Sequence, residues 1–178
     1  MAVVGVLIHG RGAYAYHVDG RFSHDANLIL TVLLSALNHL CETTALPKHM
    51  HLQMDNCARE NKNRFVLAFM SMLVQLNIFE TVQRLFSSIV IPLKVELSFL
   101  PVGHTHNDID QMFSKMSQHL AKNTVKHLDE LCRAWNAAYS TKEGIRPHVF
   151  CVEEVADVKC WLEPLIAKNI TGLAGSNT

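Results

Sequence analysis

Two short stretches of this sequence hold more carboxylate, amide and imidazole groups than a scaffold of helices and strands needs. One is Asp55-Asn56-Cys57-Ala58-Arg59-Glu60-Asn61-Lys62-Asn63-Arg64, and the other is Gly103-His104-Thr105-His106-Asn107-Asp108-Ile109-Asp110. Each stands where an apolar alternation gives way to a helical pattern. In an open α/β sheet, the carboxyl ends of strands and the adjoining helix starts open into one crevice where ligands commonly bind. Hard divalent ions such as Mg²⁺ take oxygen ligands, and two of them about 4 Å apart activate a water and stabilise the leaving oxygen of a phosphodiester. Asp55 with Asp108 or Asp110 would supply part of that shell, with Asn56, Glu60 and Asn61 orienting it from outside.

Plainer readings compete at every one of these positions. Asn107 and Asp110, three residues apart, have the spacing of a capping box, and acids in a first helical turn gain from the helix dipole anyway. Asp55-Asn56 would equally cap a helix beginning near Cys57, and Glu60, Lys62 and Arg64 fit a solvated helix start. His104 and His106, on either side of Thr105, are dense for a mere loop. At 100° per residue Asp108 and Asp110 lie on opposite borders of the face made by Ile109, Met112, Phe113 and Met116, so either could turn toward Asp55.

The elements that must position these residues are legible from periodicity. Ala2 to Ile8 is a continuous, largely β-branched apolar run, His9-Gly10-Arg11-Gly12 is a turn, and Ala13 to Val18 is a second strand, which predicts a hairpin. After the Asp19-Gly20 turn, Ile29, Val32, Leu33, Ala36, Leu37 and Leu40 share one face of a helix of about five turns. Met50, Leu52 and Met54 alternate with His51, Gln53 and Asp55, a strand with Asp55 at its carboxyl end. Ala58 to Leu76 is predicted as a helix apolar almost all round, and Val95, Leu97 and Phe99 mark another strand. Helical stripes follow at Ile109, Met112, Phe113, Met116, Leu120 and at Leu128, Leu131, Cys132, Trp135, Tyr139. Beyond Pro147 only short apolar runs remain, at 148–152 and 158–162, before a tail over 166–178. The order β-β-α-β-α-β-α-α predicts an α/β fold with a mixed sheet flanked by helices, and all four strands are expected in one sheet.

Composition narrows the function classes. At 178 residues and 49% apolar content the chain has the size of one domain with a substantial core. Sixteen basic residues balance sixteen acidic ones, so the chain lacks the electrostatic footprint of a dedicated duplex-binding module. Five cysteines with no C-x-x-C pair suggest reduced thiols in an intracellular protein and neither a disulfide framework nor a zinc knuckle. The apolar run at the start is too short to span a bilayer, and no membrane role is expected.

The stretches Asp55 to Asn63 and Phe99 to Ser114 carry a resemblance. With the patterns D-N-C-x-x-E-N-K-N and F-L-x-V-G-H-T-H-x-D-I-D-x-x-F-S, the chain resembles a eukaryotic, transposon-derived domain family of unknown function. Weaker similarity runs from about Val3 to Trp161 and includes Gly10-Arg11-Gly12-Ala13-Tyr14 and Asp25-Ala26-Asn27. The element order in turn resembles a ribonuclease H-like transposase or integrase core that lacks its first strand. That resemblance implies a divalent-metal-dependent nuclease using Mg²⁺ or Mn²⁺ on DNA, in the nucleus. It assigns Asp55 to the second acid position, Asp110 or Asp108 to the third, and His104 or His106 to the loop before it. No residue matches the first acid: Asp19 sits in a D-G turn and Asp25 reads as a helix cap. On this reading residues 1–165 form a truncated core, 83–94 look inserted, and the chain alone is expected to be inactive and prone to self-association.

Two rival functions are distinguishable. G-H-T-H-x-D also occurs in metal-dependent hydrolases, but the partner motifs of those enzymes are absent upstream, and Ile109 stands where one class expects a histidine. Lack of the first acid favours a domesticated module that binds nucleic acid or protein without catalysis.

Overall fold

A computed structural model describes residues 2–47, 49–76, 78, 95–100, 108–139 and 147–169. The chain divides into two compact units, one of Met1–Phe22 with Gly103–Glu154 and the other of Ser23–Val102 with Val155–Thr178.

In the first unit, β1 (Ala2–Ile8) and β2 (Gly12–Val18) form the expected antiparallel hairpin, in register from Ala2 opposite Val18 to Ile8 opposite Gly12. Its turn needs Gly10 at φ 68°, a backbone conformation that a Cβ disfavours. A third strand, β5 (Pro147–Cys151), pairs parallel to β2 and makes the sheet mixed, in the order β1-β2-β5. Alternation puts Val3 and Leu7 of β1, Ala13 and Ala15 of β2 and Val149 of β5 on one core. The helices α3 (Asp108–Leu120) and α4 (Leu128–Ala138) cover that core through Met112, Met116, Leu131, Ala134 and Trp135. Gly5 permits a close approach, since a Cβ there would lie 2.9 Å from both Met112 Cε and Phe113 Cζ. On the opposite pleat, Tyr14 stacks on His148 and Phe150, and Tyr16 on Phe150. Burial pushes the Tyr14 hydroxyl above its ordinary pKa.

The second unit is built on α1 (Ala26–Thr43) and α2 (Arg64–Gln75), with α5 (Val158–Leu162) and a 3-10 turn at Glu163–Leu165. Leu30, Leu33 and Leu37 of α1, Val66, Phe69, Met70 and Leu73 of α2, and Val158 and Leu162 of α5 form its core. α1 is long and apolar enough to cross a membrane, yet Ala26, Leu28, Leu30, Val32, Leu33, Ala36, Leu37 and Leu40 are buried within the protein. The Asp25-Ala26-Asn27 segment proves to be a fastening. Asp25 Oδ1 accepts from Asn27 N at 2.9 Å to cap α1, and its Oδ2 pairs with Lys159 Nζ at 3.0 Å. The Asn27 side chain donates to Asp157 and accepts from Lys159 N, which holds α5 against the start of α1.

β3 (Met50–Met54) and β4 (Val95–Phe99) pair in parallel, Met50 opposite Val95 and Met54 opposite Phe99. Two expectations need correction. The four strands do not share one sheet among the described residues: β3 and β4 form a two-stranded sheet apart from the β1-β2-β5 ladder. The helix expected from Ala58 begins only at Arg64, because Asn63 caps it and the preceding residues turn separately. The stretch 83–94, expected as an insertion, lies outside the described residues, as does 170–178 of the tail.

Candidate functional site

The D-N-C-x-x-E-N-K-N stretch folds as a self-braced loop between β3 and α2. Asp55 follows directly on Met54, the last residue of β3, and its side chain is exposed. Its Oδ1 accepts from Cys57 N at 3.0 Å, an Asx turn that redirects the chain away from the strand. Asn61 N and Lys62 N both donate to Cys57 O, at 2.8 and 2.9 Å, closing a single turn. That turn carries the Asn61 amide back to Asp55, where Nδ2 donates to the same Oδ1. Asn61 is buried, and its own Oδ1 has no hydrogen-bond partner among the described residues. Leaving a buried acceptor unmade costs on the order of 1–3 kcal/mol, whereas a hydrogen bond to a charged group contributes about 1.5–3 kcal/mol. The amide thus serves Asp55 at the expense of its own oxygen. Asp55 Oδ2 takes no hydrogen bond from the described residues, so one carboxylate oxygen is pinned and the other stays open.

Asn63, Lys62 and Arg64, at the end of the loop, are engaged with the elements around it. Asn63, also buried, caps α2 by accepting from Phe65 N and Val66 N at 3.1 Å each, and its Nδ2 donates to Ala58 O and Arg59 O. Lys62 lies 5.7 Å over the Phe99 ring at the end of β4. Arg64 was expected at a solvated helix start. Instead its Nη2 donates to both carboxylate oxygens of Glu163 at 2.6 Å, and the guanidinium lies 4.6 Å over the Phe65 ring. Neither Asn56 nor Glu60 hydrogen-bonds Asp55.

In the other stretch, Asp108 and Asp110 both lie in the first turn of α3. There the positive end of the helix dipole favours a carboxylate whatever its role. Asp108 Oδ2 stands 3.7 Å from Nδ1 of His9, in the β1-β2 turn, and Oδ1 accepts from Gln111 at 3.5 Å. Asp110 is half-buried two residues further along the helix. His104, His106 and Asn107 lie outside the described residues. Asp55 belongs to the second unit, and Asp108 and Asp110 to the first. Among the described residues no group of three or more His, Cys, Asp or Glu could hold a metal ion. The carboxylate of Asp19 is accounted for by its turn. Its hydrogen bond from Arg21 N, with the Arg21 guanidinium beside it, holds it below the usual carboxylate range.

A family model described as a domain of unknown function, DUF7869, matches residues 1–177. The chain belongs to this family. No curated protein and no solved structure matches it. In this DUF7869 chain the acidic and amide positions of the first stretch therefore divide by role. Asp55 and Asn61 make a pinned, open carboxylate, while Asn63 and Arg64 hold α2 and the 3-10 turn. The roles of Asn63 and His9 were missed from sequence alone. Asn63 had a usable signal, an amide immediately before the apolar run Phe65-Val66-Leu67. His9 had none, since only the fold brings the hairpin turn to the start of α3.

Proposed function

We propose that this DUF7869 chain is a transposon-derived, ribonuclease H-like domain of the transposase or integrase type that does not cleave DNA by itself. The observation that carries the reading is Asp55, an exposed carboxylate directly after the C-terminal residue of a parallel strand, with one oxygen braced and the other open. An open carboxylate oxygen is the hard donor that Mg²⁺ or Mn²⁺ takes. By the resemblance, Asp110 or Asp108 supplies the third acid, His104 or His106 the preceding loop, and Asn61 orients Asp55 with Asn56 and Glu60 around it.

The separation of β3 and β4 from the β1-β2-β5 ladder among the described residues counts against one continuous ribonuclease H-like sheet, so the reading rests on Asp55 and on the resemblance. Two-metal catalysis needs both ions at fixed spacing, and without a bridging acid one such carboxylate does not hold them. DNA is the proposed substrate class and the nucleus the proposed location.

A nicking assay with Mn²⁺ on supercoiled DNA tests this. The 178-residue chain should give no cleavage above background, and a longer form bearing a further strand with an Asp should give cleavage that Asp55→Ala abolishes. Robust, Asp55-dependent cleavage by the short chain would overturn the inactive reading. Cleavage by neither form would favour the second reading, a domesticated binding module.

A further inference from the structure

We propose that Cys132 and Cys151 are a reversible oxidation site, joined as a disulfide when the chain meets hydrogen peroxide, which fastens α4 to the outer strand β5. The inference rests on the first unit alone and not on the nuclease reading. All five cysteines, Cys41, Cys57, Cys132, Cys151 and Cys160, are free thiols. Only Cys132 and Cys151 belong to the first unit, and they stand on the two elements that pack there, α4 and β5. Alternation along β5 gives Cys151 the face of Val149, which packs into the core under α3 and α4, while His148 and Phe150 meet the Tyr14 and Tyr16 rings on the other face. On α4, Cys132 borders the stripe of Leu131, Ala134 and Trp135 that covers this core. The two elements bring Cα atoms within 8 Å of one another, close to the roughly 4.4–6.8 Å that a disulfide requires. Charge reports the same proximity. Burial first, and then the neighbouring Cys151 and Asp129, push the Cys132 thiol above its ordinary pKa.

Two thiols beside an imidazole could also serve a metal, since His17 of β2 is in register with Cys151. Among the described residues, however, no group of three or more such ligands could hold an ion. That leaves the chemistry of the thiols with each other, and their access sets its order. Cys151 is exposed and Cys132 half-buried, and oxidation follows exposure and thiolate character. The Cys151 thiolate attacks one peroxide oxygen, the O–O bond breaks, and the departing hydroxide leaves as water with the thiol proton, so that Cys151 becomes a sulfenic acid. The Cys132 sulfur then attacks the Cys151 sulfur, the S–O bond breaks, and a second water leaves with the Cys132 proton. Two thiols give up two electrons in all, and the peroxide is reduced to two waters. Exchange with a dithiol reverses the bond. β5 is five residues long and is held by one ladder, to β2, among the described residues, so the disulfide adds a covalent tie at a lightly held edge.

The reduced chain treated with equimolar hydrogen peroxide, then alkylated and digested, tests this by peptide mass spectrometry. A peptide linking Cys132 to Cys151 should dominate, two of the five thiols should be lost, and dithiothreitol should restore both. The same treatment in urea should form that link several-fold more slowly, because only the fold brings the two thiols together. Cys132→Ser should leave Cys151 as a sulfenic acid that dimedone traps. Oxidation should raise the unfolding temperature of the unaltered chain and leave that of Cys132→Ser where it was. A linked peptide that forms as fast in urea overturns the proposal, and so does preferential linkage of Cys151 to another thiol or to a second chain. Absence of any linked peptide while Cys151 is oxidised overturns it as well, and these three readouts need no variant to fold.

Discussion

Asn63→Ala is expected to lower stability by about 2–4 kcal/mol, more than its position in a polar loop suggests. Loss of an Asn cap costs about 0.5–2 kcal/mol. The two hydrogen bonds its amide donates to Ala58 O and Arg59 O add about 1 kcal/mol each. The damage is concentrated because Val66 is fully buried, so its N–H loses its partner without gaining water. Asn63→Asp keeps the acceptor for Phe65 N and Val66 N but turns a carboxylate oxygen toward Ala58 O and Arg59 O, so it should recover only part of the loss. Urea denaturation of the two variants measures this. A loss within about 0.5 kcal/mol for the alanine variant, the range of ordinary surface substitutions, would mean that Asn63 is not the cap.

In the other unit, Trp135→Ala should cost about 3–5 kcal/mol, the usual range for emptying a large aromatic site. Trp135 is 2% exposed, meets Phe113 edge-on at 5.7 Å between centroids, and fills the space between α3, α4 and the sheet. The second tryptophan supplies an internal control. Trp161 is 55% exposed, and Trp161→Ala should fall within about 0.5 kcal/mol of the unchanged chain. Because the chain has two tryptophans, fluorescence of the Trp161→Ala variant reports Trp135 alone and should show an emission maximum typical of a buried indole. A solvent-exposed spectrum from that variant would contradict the packing described for α4.

The parts of the fold that were legible are those where one face of an element meets one core. Met112 and Met116 announce α3, and the alternation through Leu52 and Leu97 announces β3 and β4, because burial imposes periods of 3.6 and 2 on sequence. Which strands share a ladder is not local information, and the expectation of a single four-stranded sheet failed on that point. The start of α2 was misplaced because Ala58, Arg59 and Glu60 are good helix formers. A bond between residues six apart, Asn61 to Asp55, and an amide cap at Asn63 override their propensity. The Arg64–Glu163 pair spans 99 positions and leaves no trace in local pattern. Asp55 itself was legible as a polar group at the end of an alternating strand, whereas the bracing that leaves one of its oxygens open is a property of the folded loop.

The most direct test of the proposed role of Asp55 is a Mn²⁺ titration of the isotope-labelled chain, read as paramagnetic broadening of backbone amide signals. Signals from Asp55 through Asn61 should broaden at the lowest additions. Asp55→Asn should remove the effect there while the rest of the spectrum keeps its dispersion. Broadening that spares the Asp55 loop, or that survives Asp55→Asn unchanged, would contradict a metal-binding role for this carboxylate.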